Sequence, residues 1–188
     1  MNQLAVQQDK QKIGDRPQDE LDESQNLFLT FMVGGETYGI GILAIKEILE
    51  YCDVTRVPMM PDFIQGVVNV RGSVVPVIDL SLRLGSEPTG ANKRTCIVII
   101  EAESEGEVID IGVVVDAVNE VLEIPAGEIE ATPAFGAKIR TDFIQGMGKV
   151  QDKFIILLDV EHVLSVEELS ILDQVTRDSE VSPEDHVE

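Results

Sequence analysis

FIQGVVNVRGSVVPVIDL, residues 63–80, is the stretch on which the fold turns. It returns 80 residues later, without a gap, as FIQGMGKVQDKFIILLDV, residues 143–160. Phe, Ile, Gln, Gly, Val and Asp coincide at six of the 18 positions, and most others set apolar against apolar. In the first copy two apolar runs flank Arg71-Gly72, the pattern of a β-hairpin. Pro76 lies inside the second run and demotes it to an edge or a bulge, because proline cannot donate to a ladder.

A looser match precedes each phrase. YGIGILAIKEILE (38–50) resembles IGVVVDAVNEVLE (111–123), sharing Gly39/Gly112, Glu47/Glu120, Leu49/Leu122 and Glu50/Glu123, with Pro58 and Pro125 following. Two features repeated in the same order imply duplication of a whole unit. About five short strands per unit, with closely spaced turn signals, indicate a small barrel or sandwich. A unit this small buries little core alone, so two halves packed together are expected rather than two beads.

Outward from the repeat, LFLTFMV (27–33), Gly34-Gly35-Glu36 and TYGIGI (37–42) read as strand, turn and strand. The segment with Ile45, Ile48 and Leu49 fits a strand or one helical turn. Pro61-Asp62-Phe63-Ile64 reads as a short helical turn. CIVIIEA, EVIDIGVVVDAV and NEVLEIP continue as strands, and residues 85–94 and 124–142 have loop composition. VEELSILDQVT places Val166, Leu169, Leu172 and Val175 at helical spacing. The expected division is a disordered tail over 1–26, one domain over 27–172 and an acidic tail over 173–188.

Formal net charge is −21, with −3 in residues 1–25 and −8 in residues 161–188. Such a balance argues against nucleic acid and against docking on anionic lipid. No apolar run reaches the ~20 residues of a membrane span. Two cysteines, Cys52 and Cys96, make no disulfide framework, and the N-terminal residues carry no secretory pattern. A cytoplasmic protein with reduced thiols is expected.

Chemistry finds little to work with. Asp79 and Asp159 end equivalent strands, as the two carboxylates of an aspartyl hydrolase would. The residues that follow, Leu80-Ser81 and Val160-Glu161, lack the glycine that would aim them, so helix caps are the better reading. His162 and His186 have no ligand cluster nearby, and no phosphate loop or GxSxG occurs. No catalytic residue, metal or cofactor is expected.

The hairpin tips differ where the cores agree. Arg71 stands in Asn69-Val70-Arg71-Gly72, against Lys149-Val150-Gln151-Asp152 in the second copy. That is the pattern of one half having acquired a partner. Glu47 lies between apolar neighbours, and Gly66 suits a close backbone approach. Ile42 and Ile45 read as core, or as the lining of a groove for a partner helix.

YGIGILAIKEI followed by VTRVPMMPDFIQGVVNVRGSVVPVIDL resembles the CheW chemotaxis coupling proteins over about residues 27–172. The resemblance implies an all-β fold of two five-stranded SH3-like barrels on a shared core, with short helical turns and a C-terminal helix. It implies a non-enzymatic scaffold between the regulatory domain of a CheA-type histidine kinase and the cytoplasmic tip of methyl-accepting chemoreceptors. A coupling protein of type IV pilus signalling would share the same mechanism. Carried over by motif, Ile42, Ile45, Glu47, Asn69 and Arg71 belong to receptor or kinase contacts, with Gly66 supporting the hairpin. Ile97, Gly112 and Val118 would continue the partner surface. Gly41 departs from the family, which has an acidic or polar residue there.

Overall fold

The structure, a computed structural model, describes residues 23–104, 106–132 and 143–180. The first copy supplies β1 (Leu27–Val33), β2 (Glu36–Gly41), β3 (Ile45–Glu50), β4 (Ile64–Val70) and β5 (Ser73–Asp79), then helix α1 (Leu80–Arg83). The second supplies β6 (Cys96–Ser104), β7 (Glu107–Val115), β8 (Ala117–Glu123), the short β9 (Ile129–Glu130), β10 (Ile144–Val150) and β11 (Lys153–Leu158). Helices α2 (Val160–Val163) and α3 (Val166–Glu180) follow.

The two copies do not form one sheet each. One sheet has the order β8-β1-β2-β11-β10-β9 and the other β3-β6-β7-β5-β4. The halves have thus exchanged hairpins: β1–β2 joins second-copy strands, and β6–β7 joins first-copy strands. Each foreign hairpin is stitched in by a parallel pairing, Leu157↔Gly39 in one sheet and Val77↔Gly112 in the other. The repeated glycines have a steric reason. A Cβ at Gly39 would lie 2.9 Å from Leu157, and one at Gly112 would lie 2.9 Å from Ile97.

Strands buried on both faces read as unbroken apolar runs. In CIVII, Ile97 and Ile99 fill the interior of their own sheet with Val68, Val75, Val77 and Val114. Val98 and Ile100 face the other way, into a core shared with Leu29, Phe31, Val33 and Ile40 of the first sheet. A third cluster, Phe28, Ile124, Ile155 and Leu157, fills the first sheet.

Several expectations need adjustment. Residues Ile45–Glu50 are a strand, preceded by a single 3-10 turn at Ile42–Ala44. Pro61–Ile64 is one hydrogen-bonded turn rather than a helix, with Ile64 N donating to Pro61 O at 2.9 Å. Pro76 sits in a central strand, not an edge. Beside β4 it opposes Val67, one pair beyond Val68↔Val75 in the register that closes at Val70↔Ser73. In that alternation its nitrogen points away from β4, and pairing with β7 begins only at Val77, so no ladder bond is lost. The boundary drawn at residue 172 falls inside α3, because Val175 is buried and Arg177 pairs with Glu107 at 2.9 Å. Of the expected N-terminal tail, residues 1–22 lie outside the described residues, as do 181–188.

Candidate partner-binding site

The β4–β5 hairpin closes through Arg71 and Gly72, both left-handed, with φ of 51° and 89°. Two successive positive φ values define the tight turn whose twist matches antiparallel strands. Asn69 Oδ1 accepts from Gly72 N at 2.9 Å and locks it. The side chain of Arg71 is 80% exposed, and its Nη2 donates to Glu47 Oε2 at 2.8 Å. Glu47 comes from β3, just past a bulge between Ile45 and Glu47 in the pairing with β6. The bulge frees Lys46, whose Nζ donates to Asp110 Oδ2 at 2.8 Å. That hydrogen bond, helped by the charges of Asp110, Glu101 and Glu47, holds the Lys46 ammonium above its ordinary value.

Three of the expected site residues therefore meet at one exposed hairpin end: Glu47, Asn69 and Arg71. The second copy makes the same left-handed turn, with φ of 49° at Gln151 and 63° at Asp152, but has no arginine to reach Glu120. Ile42 and Ile45 are half-buried and pack on the shared core, as does Val118 opposite Phe31. Gly66 is buried and touches nothing outside. Its φ is 148°, and a Cβ there would lie 1.9 Å from Thr55 O. It lets Thr55 bridge to Val67 and so anchors the 51–62 loop beside the hairpin.

Ile97 and Gly112 need correction as contact residues. Ile97 is 0% exposed, and Gly112 faces Ile97 and Val77 inside the barrel. In this conformation neither offers surface to a partner. Sequence reasoning also missed Leu43 and Ile48, exposed at 59% and 44%. Alternation along IKEILE was the available signal for Ile48; Leu43 carried none, since a 3-10 corner has no strand period.

The carboxylates are caps. Asp79 is 1% exposed and accepts from Ser81 N, Leu82 N, Gln65 Nε2, and both the backbone and hydroxyl of Thr89. Asp159 caps α2 by accepting from Glu161 N at 3.0 Å, and its other oxygen meets His162 Nδ1 at 2.8 Å. With every lone pair of Asp79 engaged, no hydrolytic carboxylate pair is available. Among the described residues no cluster of three metal-ligating side chains occurs, and no helix is long and apolar enough to cross a membrane.

Residues 27–168 match the model of the CheW-like domain family. The chain belongs to this family. It is 37% identical over 150 residues to the chemotaxis protein CheW of Klebsiella aerogenes, covering 80% of this chain and 88% of that one. Identity to the chemotaxis protein CheW of Bacillus subtilis is 35% over 140 residues, covering 74% and 86%. The crystal structure of the scaffolding protein TtCheW from Thermoanaerobacter tengcongensis superposes with a TM-score of 0.68 at 33% identity, covering 78% and 93%. This CheW-like chain is thus a chemotaxis adaptor, a scaffold rather than an enzyme. The two-sheet fold agrees with the expected pair of barrels, with β9 added as a sixth strand to one of them.

Proposed function

We propose that this chain couples the cytoplasmic tip of methyl-accepting chemoreceptors to the regulatory domain of a CheA-type histidine kinase, in the cytoplasm, and that the Glu47–Arg71 pair forms part of the coupling surface. One observation carries the assignment of the surface. Arg71 occupies a left-handed position that a glycine would fill without strain, at a penalty of about 1–2 kcal/mol for a residue with a Cβ. Among the described residues its compensation is the ion pair with Glu47, in which the Arg71 side chain stays 80% exposed, worth about 0.2–1 kcal/mol. The fold gains nothing net from arginine there, so its value lies in what it touches outside. Arg71 offers the remaining guanidinium donors to a partner, while Glu47 holds it upright.

Coupling would work by assembly. Each contact can be weak, because an array raises the effective concentration of the next one. The test is a pull-down of kinase regulatory domain and receptor cytoplasmic fragment with three proteins: unsubstituted, Arg71→Glu, and Arg71→Glu combined with Glu47→Arg. Loss of capture by Arg71→Glu at an unchanged thermal midpoint is expected. Full capture by that variant would refute the assigned surface, and failure of the unsubstituted chain to capture either partner would refute the coupling role.

A further inference from the structure

The two cysteines, far apart in sequence, meet at one end of the ladder between β3 and β6. Glu50 of β3 lies opposite Cys96, the first residue of β6. One further bond extends this pairing, with Tyr51 N donating to Thr95 O at 3.2 Å. Cys52 therefore stands two residues past the partner of Cys96, on the diagonal. Alternation settles the face. Leu49 and Tyr51 pack with Ile97 in the interior of the five-stranded sheet, so Cys52 follows Glu50 to the other face, the one from which Cys96 packs on the shared core. Diagonal neighbours on one face of an antiparallel pair have Cα atoms about 7–8 Å apart and Cβ atoms closer. Cys96 Sγ lies 3.4 Å from Arg94 O, so this sulfur is turned back along its strand, toward the end at which Cys52 sits.

Both thiols are free, Cys52 exposed and Cys96 half-buried. A disulfide needs Cα atoms about 4.4–6.8 Å apart, so a shift of about 1 Å closes the bond. Cys52 can supply it, because it lies two residues past the end of β3 and belongs to the 51–62 loop rather than to the ladder. We infer that Cys52 and Cys96 form a redox-modification site, at which a peroxide converts the two thiols into an internal disulfide. The Cys52 sulfur, as thiolate, attacks one peroxide oxygen; the O–O bond breaks, the departing hydroxide is protonated to water, and Cys52 becomes a sulfenic acid. The Cys96 sulfur then attacks the Cys52 sulfur; the S–O bond breaks, and hydroxide leaves with the Cys96 proton as water. Two thiols are oxidised, one peroxide is reduced, and a thiol reductant reverses the change. The bond ties down the exit of β3, which holds β4 through Tyr51 Oη donating to Gln65 Oε1 at 3.3 Å and through the Thr55–Val67 bridge. Since β4 leads to Arg71, the oxidised chain carries a restrained loop beside its exposed hairpin tip.

Titration of the full chain, at low concentration, with hydrogen peroxide tests the inference. Expected are a fall from two titratable thiols to none, a mass loss of about 2 Da, a proteolytic fragment joining Cys52 to Cys96, and full return on adding dithiothreitol. Dimedone, which traps sulfenic acid, should label Cys52 weakly in the unsubstituted chain and several-fold more strongly in Cys96→Ser, where no second thiol resolves it. Disulfides found only between molecules overturn the inference, as do sulfinic acids at both cysteines with no joined fragment. Equal dimedone labelling of the two proteins, or two thiols that survive excess peroxide, overturns it as well.

Discussion

Gly66 and Gly146 are the same letter of the repeated phrase, yet alanine at the two positions has very different consequences. At Gly66 the new Cβ would lie 1.9 Å from Thr55 O and 2.9 Å from Arg56 Cα, both backbone atoms that cannot swing aside. Relief requires the 51–62 loop to move, breaking the two bonds between Thr55 and Val67 at 2.9 and 2.8 Å. Each is worth about 1 kcal/mol net. The φ of 148° adds about 1–3 kcal/mol of strain for any residue with a side chain. The sum is about 3–5 kcal/mol, a large share of the ~5–15 kcal/mol that holds a typical domain. At Gly146 the contacts are Ile129 Cγ2 at 2.7 Å and Glu130 O at 3.0 Å, and φ is not positive. Ile129 can rotate, leaving about 1–2 kcal/mol, within the usual range for overpacking. Denaturant unfolding of the two variants measures the difference directly. At about 2–4 °C per kcal/mol for a chain of this size, Gly66→Ala should melt roughly 6–20 °C lower. Equal losses, or a loss below about 1 kcal/mol at Gly66, would refute the steric argument. The same experiment separates roles: Gly66→Ala should impair coupling through lost stability, whereas Arg71→Ala should impair it in a folded protein.

Arg71→Gly relieves the left-handed strain and should raise the unfolding free energy by up to about 1 kcal/mol while abolishing capture of the partner; a fall in stability would show Arg71 to be structural. The two oxygens of Asp79 accept five hydrogen bonds between them, so Asp79→Asn turns one acceptor into a donor facing other donors, and a loss of about 2–4 kcal/mol is expected by urea titration. Asp159→Asn keeps a good cap and should cost less than about 1 kcal/mol. Burial, and then the charge of Glu36, push the Tyr38 hydroxyl above its ordinary value of 10.0. The folded state then holds this proton more tightly than the unfolded chain, so its stability is full below pH 10.0 and falls as pH rises through the raised value. In thermal melts Tyr38→Phe should lose stability less steeply than the unsubstituted chain as pH rises above 10.0; identical alkaline slopes would remove Tyr38 as a cause.

Much of the fold was legible because the repeat carries its own geometry. Arg71-Gly72, flanked by GVVNV and SVVPV, specifies a two-residue hairpin, and the strand-ending Asp79 and Asp159 announced the caps that they make. What was hidden depends on distant pairing. Nothing local says that the free side of β2, opposite β1, will take β11 rather than another strand of its own copy; only the parallel contact of Gly39 with Leu157 reveals it. Pro76 misled for the same reason, since its harmlessness depends on where β7 begins to pair. Around the site, the tip residues were readable from the disagreement between copies. Ile97 and Gly112 were misplaced because residues that shape a barrel interior and residues that touch a partner look alike in sequence. Leu43 was missed because the 3-10 corner that exposes it has no strand period to read.

The exchange of hairpins also constrains how the chain acquires its structure. The β1–β2 hairpin carries Phe28 and Phe31, both nearly fully buried in the finished protein, yet its parallel neighbour β11 begins only at Lys153. On a ribosome adding about 5–20 residues per second, that hairpin waits several seconds or more for its seat. During this interval two aromatic side chains and an open strand edge are exposed, the conditions that invite aggregation. Contacts separated by more than a hundred residues also slow folding, through the entropy of closing so large a loop. A fragment ending before β10 would complete the five-stranded sheet yet leave the β1–β2 hairpin without β11, so the six-stranded sheet closes only when nearly the whole chain has been made.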